Sequence, residues 1–299
     1  MKSAPSPWSP WLYSAARFAL GTYLAVHFGM LIPWAAELFS SAGLMADGQA
    51  SPLLRAFPNV LALVDAPAMT TGMAIVGCAL SVSVALGFKD RWAAVVAWYI
   101  LACFLGRNPL ILNPSLPHIG WLLLAHAAVP TAPRGSVDGW LDPARAAVWH
   151  LPRPLLAAGW IVMSGSYLYS GLTKLISPSW LDGSALRHVL ENPLARPSAL
   201  RDAALALPDS AFAVATWGTL GLELVFPLLA CHLRTRPWAW LGMVLMHVGL
   251  ILLIDFADLS AGMLILHLFT FEPRWLTRSA GGSQPAASSS WSARSPARS

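Results

Sequence analysis

Apolar segments of about twenty residues recur along this chain, and a run of that length is what a helix needs to cross a hydrocarbon layer about 30 Å thick. The runs cover residues 15–39, 69–88, 92–112, 118–129, 155–176, 211–230, 238–254 and 259–271. The fourth is short for a crossing, so it is expected to begin earlier or to tilt. The residues are 56% hydrophobic and 11% charged, against about 25% charged in an ordinary soluble domain. Fifteen tryptophans fit a chain that lives at membrane interfaces. The expected fold is therefore all-α, a polytopic membrane helix bundle of about eight transmembrane helices with the lipid bilayer as its partner. The net charge of +5 then has a membrane explanation, and no nucleic-acid partner is implied.

Between the runs the sequence is punctuated. Residues 1–11 form a polar, proline-broken lead without the layout of a cleaved signal peptide, residues 12–275 the transmembrane domain, and residues 276–299 a low-complexity tail expected to be disordered. Residues 40–68 are a loop that hugs the surface, residues 143–150 an interfacial helix, and 177–209 the longest hydrophilic segment. The polar sequence from Arg107 to His118 can sit at membrane depth only where protein or a watery cavity shelters its backbone. Eight spans place both termini on one side. The short turns with Lys89 and Arg91, and with Arg234 and Arg236, assign that side to the cytoplasm, and a cell inner membrane is the expected location. Cys78, Cys103 and Cys231 lie in or beside apolar runs without a CxxC spacing and are read as core residues.

Ionisable groups inside such runs are costly and mark sites or pairs. Lys174 stands in SGLTKL at the end of the fifth run. It is either an anchor whose ammonium snorkels to the interface, or an amine in an apolar pocket, where desolvation favours the neutral form and so a general base. Glu223 lies within the sixth run and is protonated, paired with a cation such as Arg17 or Arg107, or part of the site. His27, His118, His126, His247 and His267 all fall in apolar runs. Each alone reads as a core histidine, while together they keep a haem or metal reading open. His118 and His126 are too far apart on one helix for a single ion, and HExxH and close histidine boxes are absent, so no metal ligand is assigned.

The block from Tyr169 to Leu175, followed by Ser179-Trp180-Leu181-Asp182-Gly183, resembles the pattern after the catalytic lysine of vitamin K-dependent gamma-carboxylase. It is closer still to the bacterial relatives grouped as horizontally transferred transmembrane domain (HTTM) proteins. The likeness runs from about Tyr13 to Trp275 and takes in Glu223 to Pro227, Met246-His247 and Phe271 to Trp275. It implies that Lys174 is the catalytic base, with Thr173 where the animal enzyme has the first lysine of a pair. His247 matches an active-site histidine, and His118 a histidine of an Asn-His pair whose asparagine is Pro117 here. Glu223 and Arg107 are the candidates for cofactor contact.

The chemistry implied is deprotonation of a reduced quinone, a vitamin K-like hydroquinone, whose anion reacts with dioxygen before carbon dioxide adds to glutamate. The animal enzyme carries an extramembrane region that binds the propeptide of its protein substrate, whereas low-complexity sequence follows Trp275. A quinol- or lipid-linked carboxylase/lyase-type or oxygenation reaction on another substrate is thus equally expected. The competing reading is a non-catalytic membrane protein that binds a quinone, haem or partner protein. Transport is the weakest, since no inverted repeat is visible.

Overall fold

Proline sets where the long helices begin. Its missing N–H and fixed φ suit the first turn, and it stands there in the helices starting at Pro10, Pro67, Leu116, Arg153 and Arg236. The computed structural model describes residues 8–111 and 113–275, so most of the lead and the tail at 276–299 lie outside the described residues. In chain order the helices are α1 (Pro10–Leu31), α2 (Ala35–Phe39), α3 (Pro67–Leu86), α4 (Asp90–Arg107), α5 (Leu116–Ala128), α6 (Val137–Leu141) and α7 (Pro143–Ala147). Then come α8 (Arg153–Lys174), α9 (Pro178–Leu181), α10 (Ala185–Glu191), α11 (Ala199–Leu205), α12 (Asp209–Cys231), α13 (Arg236–Leu253) and α14 (Ala257–Thr270). Among the described residues there is no strand, only an isolated bridge between Ala195 and Ile254.

The all-α membrane bundle holds. Among the described residues five helical stretches are long and apolar enough to cross a membrane: Pro10–Phe39, Pro67–Leu86, Arg153–Lys174, Asp209–Cys231 and Arg236–Leu253. The other three apolar runs are also helical, but α5 and α14 are shorter and α4 carries Asp90, Arg91 and Arg107 in 18 residues. The first run is not one helix, because the chain passes through a 3-10 turn at Ile32–Trp34 around Pro33 before α2. The interfacial helix expected over 143–150 is the shorter α7, preceded by α6, and the hydrophilic segment 177–209 folds into α9, α10 and α11.

Two groups of helices share one member. In the first, α1 packs on α3, α3 on α4 and α4 on α5; in the second, α8 packs on α12 and α12 on α13. The short α14 touches α1, α5, α8 and α13, and buries Ser260, Gly262, Met263, Ile265, Leu266, His267, Phe269 and Thr270. A helix enclosed on several sides has no lipid face to fill. The outer helices do, and Phe18, Met30, Ile75, Ile161, Val214 and Leu245 stand exposed along them.

The polar stretch after α4 is sheltered as its composition requires. Asn108 Nδ2 donates to the Leu38 carbonyl at 2.8 Å, and Asn113 Oδ1 accepts from the Ser115 N–H at 2.9 Å. The loop over 40–66 folds onto the end of α4, where Ser51 Oγ donates to the Gly106 carbonyl and Asn59 Nδ2 to the Cys103 carbonyl at 3.0 Å.

Close helix contact in a bilayer depends on small residues, because lipid is as apolar as leucine and gives no hydrophobic drive. At Gly21 a Cβ would stand 2.3 Å from the Ala85 backbone nitrogen, so α1 and α3 meet backbone to backbone there. Gly21→Leu is expected to destabilise the protein by about 1–3 kcal/mol, read as a lower unfolding midpoint of the purified protein in lipid nanodiscs. An unchanged midpoint would show that this contact does not hold α1 to α3.

Candidate functional site

Helix α8 carries one polar stripe. Ser166, Tyr167, Ser170 and Lys174 fall within about 100° of its circumference at 3.6 residues per turn. Four other helices meet this stripe with polar side chains. His118 of α5 bonds through Nε2 to Ser166 Oγ, which also donates to the Val162 carbonyl at 2.7 Å. His247 of α13 and His267 of α14 both turn Nε2 to the Tyr167 hydroxyl, at 2.9 Å and 3.3 Å. Glu223 of α12 receives Lys174.

The Lys174–Glu223 pair closes the stripe at the C-terminal end of α8. Lys174 Nζ bonds to both carboxylate oxygens, donates to Ser170 Oγ at 3.1 Å, and lies 4.6 Å from the centre of the Trp180 ring. The Lys174 side chain is 20% exposed and that of Glu223 only 4%, so the ammonium does not snorkel free but is held against its counter-ion. Glu223 is not paired with Arg17 or Arg107, the partners its sequence position offered. Those guanidiniums belong to α1 and α4, while α12 packs on α8.

The sequence around the lysine is explained by this contact. A Cβ on Gly171 would stand 2.9 Å from the Leu224 side chain, so the glycine lets α8 approach α12 one turn before Lys174. Pro227, inside α12, has no N–H for the carbonyl four residues earlier, so the helix lacks a hydrogen bond at Glu223 itself. The turn after α8 is also docked on α12. Gly183 adopts φ +88 with a would-be Cβ 2.7 Å from that of Ala213, and Trp217 Nε1 donates to the Leu181 carbonyl at 3.1 Å. Asp182 caps the turn. Hydrogen bonds from the Ser184 hydroxyl and N–H, at 2.6 Å and 2.9 Å, hold its exposed carboxyl below the usual carboxylate range. Trp180 is thereby fixed over Lys174. Thr173 caps its own helix, donating to the Ser170 carbonyl at 2.9 Å.

Tyr167 carries no special mark in the sequence and His267 is one of five histidines in apolar runs, yet the structure joins both to His247. Tyr167 lies seven residues before Lys174, two helical turns along the same face, and that spacing was the one available signal. Phe226 packs edge-on to Tyr167, with centroids 4.9 Å apart.

The remaining intramembrane groups serve other places. Arg107 is fully buried, with Nη2 3.0 Å from Asp65 Oδ2 and 2.7 Å from the Met45 carbonyl, so it pins the 40–66 loop and stands apart from Lys174. Arg17 pairs with Asp90 at 3.3 Å and donates to the Gly135 carbonyl at 3.0 Å. Asp90 also faces His126 Nε2 at 3.3 Å, an electrostatic contact rather than an aligned hydrogen bond, and His126 Nδ1 meets the Tyr13 hydroxyl at 2.5 Å. His27 faces Asp258 at 3.7 Å. Among the described residues no three His, Cys, Asp or Glu side chains gather to hold a metal ion.

An all-α bundle with this many apolar spans defines a multi-pass integral membrane protein. Residues 24–275 match the sequence model of the HTTM domain, and the chain belongs to that family. No curated protein and no solved structure matches it.

A buried charge whose partner is removed costs more than the pair itself contributes. Lys174→Met is expected to destabilise the protein by about 3–5 kcal/mol, and Lys174→Met with Glu223→Leu to recover most of that, read by unfolding in nanodiscs. A double variant as unstable as the two single changes summed would refute the coupling.

Proposed function

We propose that this chain is a membrane-embedded enzyme in which Lys174 is the base toward an acidic hydroxyl of a lipid-soluble quinol. The observation that carries this is the contact of the half-buried Lys174 ammonium with the buried Glu223 carboxylate. In the proposed step a proton passes from Nζ to the Glu223 carboxylate, converting two charges into an amine and a carboxylic acid. The amine can then take the hydroxyl proton, and the ammonium so formed stands beside the quinol anion it has produced. Glu223 acts as the proton store, and Ser170 and Trp180 fix the position of Nζ. His247 and His118, on the same stripe, supply the polar wall of the site, with Arg107 outside it.

The resemblance to gamma-carboxylase supports a quinol-dependent reaction with dioxygen, coupled to carboxylation or oxygenation of a second substrate. The proposed reaction domain is residues 12–275, between a polar lead at 1–11 and a low-complexity tail at 276–299. The basic turns at Lys89, Arg91, Arg234 and Arg236 support cytoplasmic termini in a cell inner membrane.

A second reading, a non-catalytic membrane protein that binds a quinone, haem or partner protein, has one observation in its favour. Lys174 Nζ already has Ser170, both Glu223 oxygens and the Trp180 ring as partners. Arginine keeps the charge but does not give up a proton, so it separates the two readings. Quinol-dependent oxygen uptake by the nanodisc-embedded protein is expected to fall on the order of 100-fold or more in Lys174→Arg, in the range of a lost general base. Uptake that survives the change, or is absent from the unaltered protein with reduced menaquinone and ubiquinone, leaves the binding reading standing.

A further inference from the structure

Tyr167, His247 and His267 come from three different helices, and both imidazole Nε2 atoms turn to the same phenol oxygen. The Tyr167 oxygen lies 2.9 Å from His247 Nε2 and 3.3 Å from His267 Nε2. The three ring centroids stand 6.1, 5.8 and 5.8 Å apart, an almost regular triangle. All three residues are buried, at 3%, 4% and 1% exposure.

The far side of each imidazole is engaged as well. His267 Nδ1 lies 2.9 Å from the Met263 carbonyl, which can only accept, so Nδ1 carries the proton and Nε2 presents a lone pair to the centre. His247 Nδ1 lies 3.3 Å from Ser260 Oγ, an anchor that holds its Nε2 toward the same point. Imidazoles that bind metals are held in this way, with the outer nitrogen fixed by a carbonyl or hydroxyl and the inner one free to ligate.

From this convergence we propose that Tyr167, His247 and His267 form a binding site for one first-row transition-metal ion. Bonds of about 2.0–2.1 Å to a common ion set neighbouring donors about 2.9–3.4 Å apart, and the two oxygen–nitrogen distances lie in that range. Imidazole suits iron, copper, nickel and zinc alike, and the hard anionic phenolate favours iron among them. On binding, Tyr167 loses its hydroxyl proton to solvent, the Tyr167 oxygen bonds the ion, and two lone pairs from the imidazoles complete three positions. The metal keeps its oxidation state in this step. Sequence spacing conceals such a site, since His247 and His267 are on separate helices and tyrosine is not a residue that histidine patterns seek.

The metal site shares His247 with the Lys174 site but does not use Lys174 as a ligand, and the full-length protein tests it. Elemental analysis of the purified protein in detergent is expected to find about one first-row metal per chain, mostly iron. After chelation, added Co2+ is expected to give visible d–d absorption that saturates at one equivalent. His247→Gln and His267→Gln are each expected to lower bound metal at least tenfold while retaining the helical circular dichroism. Tyr167→Phe is expected to remove the phenolate charge-transfer band of the iron form. Ser260→Ala, which leaves every ligand in place, is expected to weaken Co2+ binding about tenfold. Lys174→Arg is expected to leave metal content unchanged, so failure of the base reading and failure of this one are distinct. Protein that purifies without metal and gives no d–d absorption with Co2+ overturns the proposal, and so do histidine variants that hold metal as the unaltered chain does.

Discussion

Hydrocarbon solvates neither ions nor unpaired backbone groups, and the arrangement of this bundle follows from meeting that constraint. Three cations within its long helices each have a carboxylate: Arg17 with Asp90, Arg107 with Asp65, and Lys174 with Glu223. Each pair ties a different set of elements. The first joins α1 to α4, the second holds the 40–66 loop on the end of α4, and the third locks α8 to α12. Two arginines are also held by backbone carbonyls, those of Gly135 and Met45, which share the work of solvation. Of these three cations Lys174 alone is an amine, whereas the other two are guanidiniums, which stay protonated.

The closing segment of the fold repeats the device with a different geometry. Glu272, buried at 2%, accepts from Arg236 at the start of α13 and from Arg274 of its own turn. Arg236 also lies over the Trp160 ring, 5.0 Å from its centre, and Trp160 meets Trp275 at 6.3 Å. This clasp fastens the base of α8, α13 and α14 at the end opposite Lys174. With both ends of α8 tied, the stripe between them is presented in a fixed register.

Much of this was legible in the residues, and the misses have physical causes. The apolar runs announce helices because nothing else satisfies a backbone in lipid, and Lys174 and Glu223 announce themselves as charges where charge is expensive. What composition cannot state is which helix touches which. Arg17 and Arg107 were as eligible to neutralise Glu223 as Lys174 was, and the choice was made by Gly171 allowing α8 onto α12. Tyr167 looked like one more aromatic in an apolar run, because the sequence does not show which groups its hydroxyl meets. Helix ends shifted by several residues wherever proline set them, as at Pro10 and Pro33. The 177–209 segment read as hydrophilic because its short helices dock shallowly: α10 buries Ala185 and Leu190, whereas α9 and α11 bury no residue.

The brevity of α14 has an electrical meaning. Fourteen residues span roughly 21 Å as an α-helix, well short of a hydrocarbon layer about 30 Å thick. The thirteen residues of α5 beside it are shorter still. At the N-terminal ends of these two helices polar residues such as Asn113, Ser115 and Asp258 gather, and water drawn to them would make the insulating layer thinner there than at the lipid-facing rim. A transmembrane voltage falling across the thinner section produces a steeper gradient per ångström there. His118, at the head of α5, and His267, near the foot of α14, sit within that section. Any proton moving along it crosses a larger share of the voltage than the same step would at the periphery.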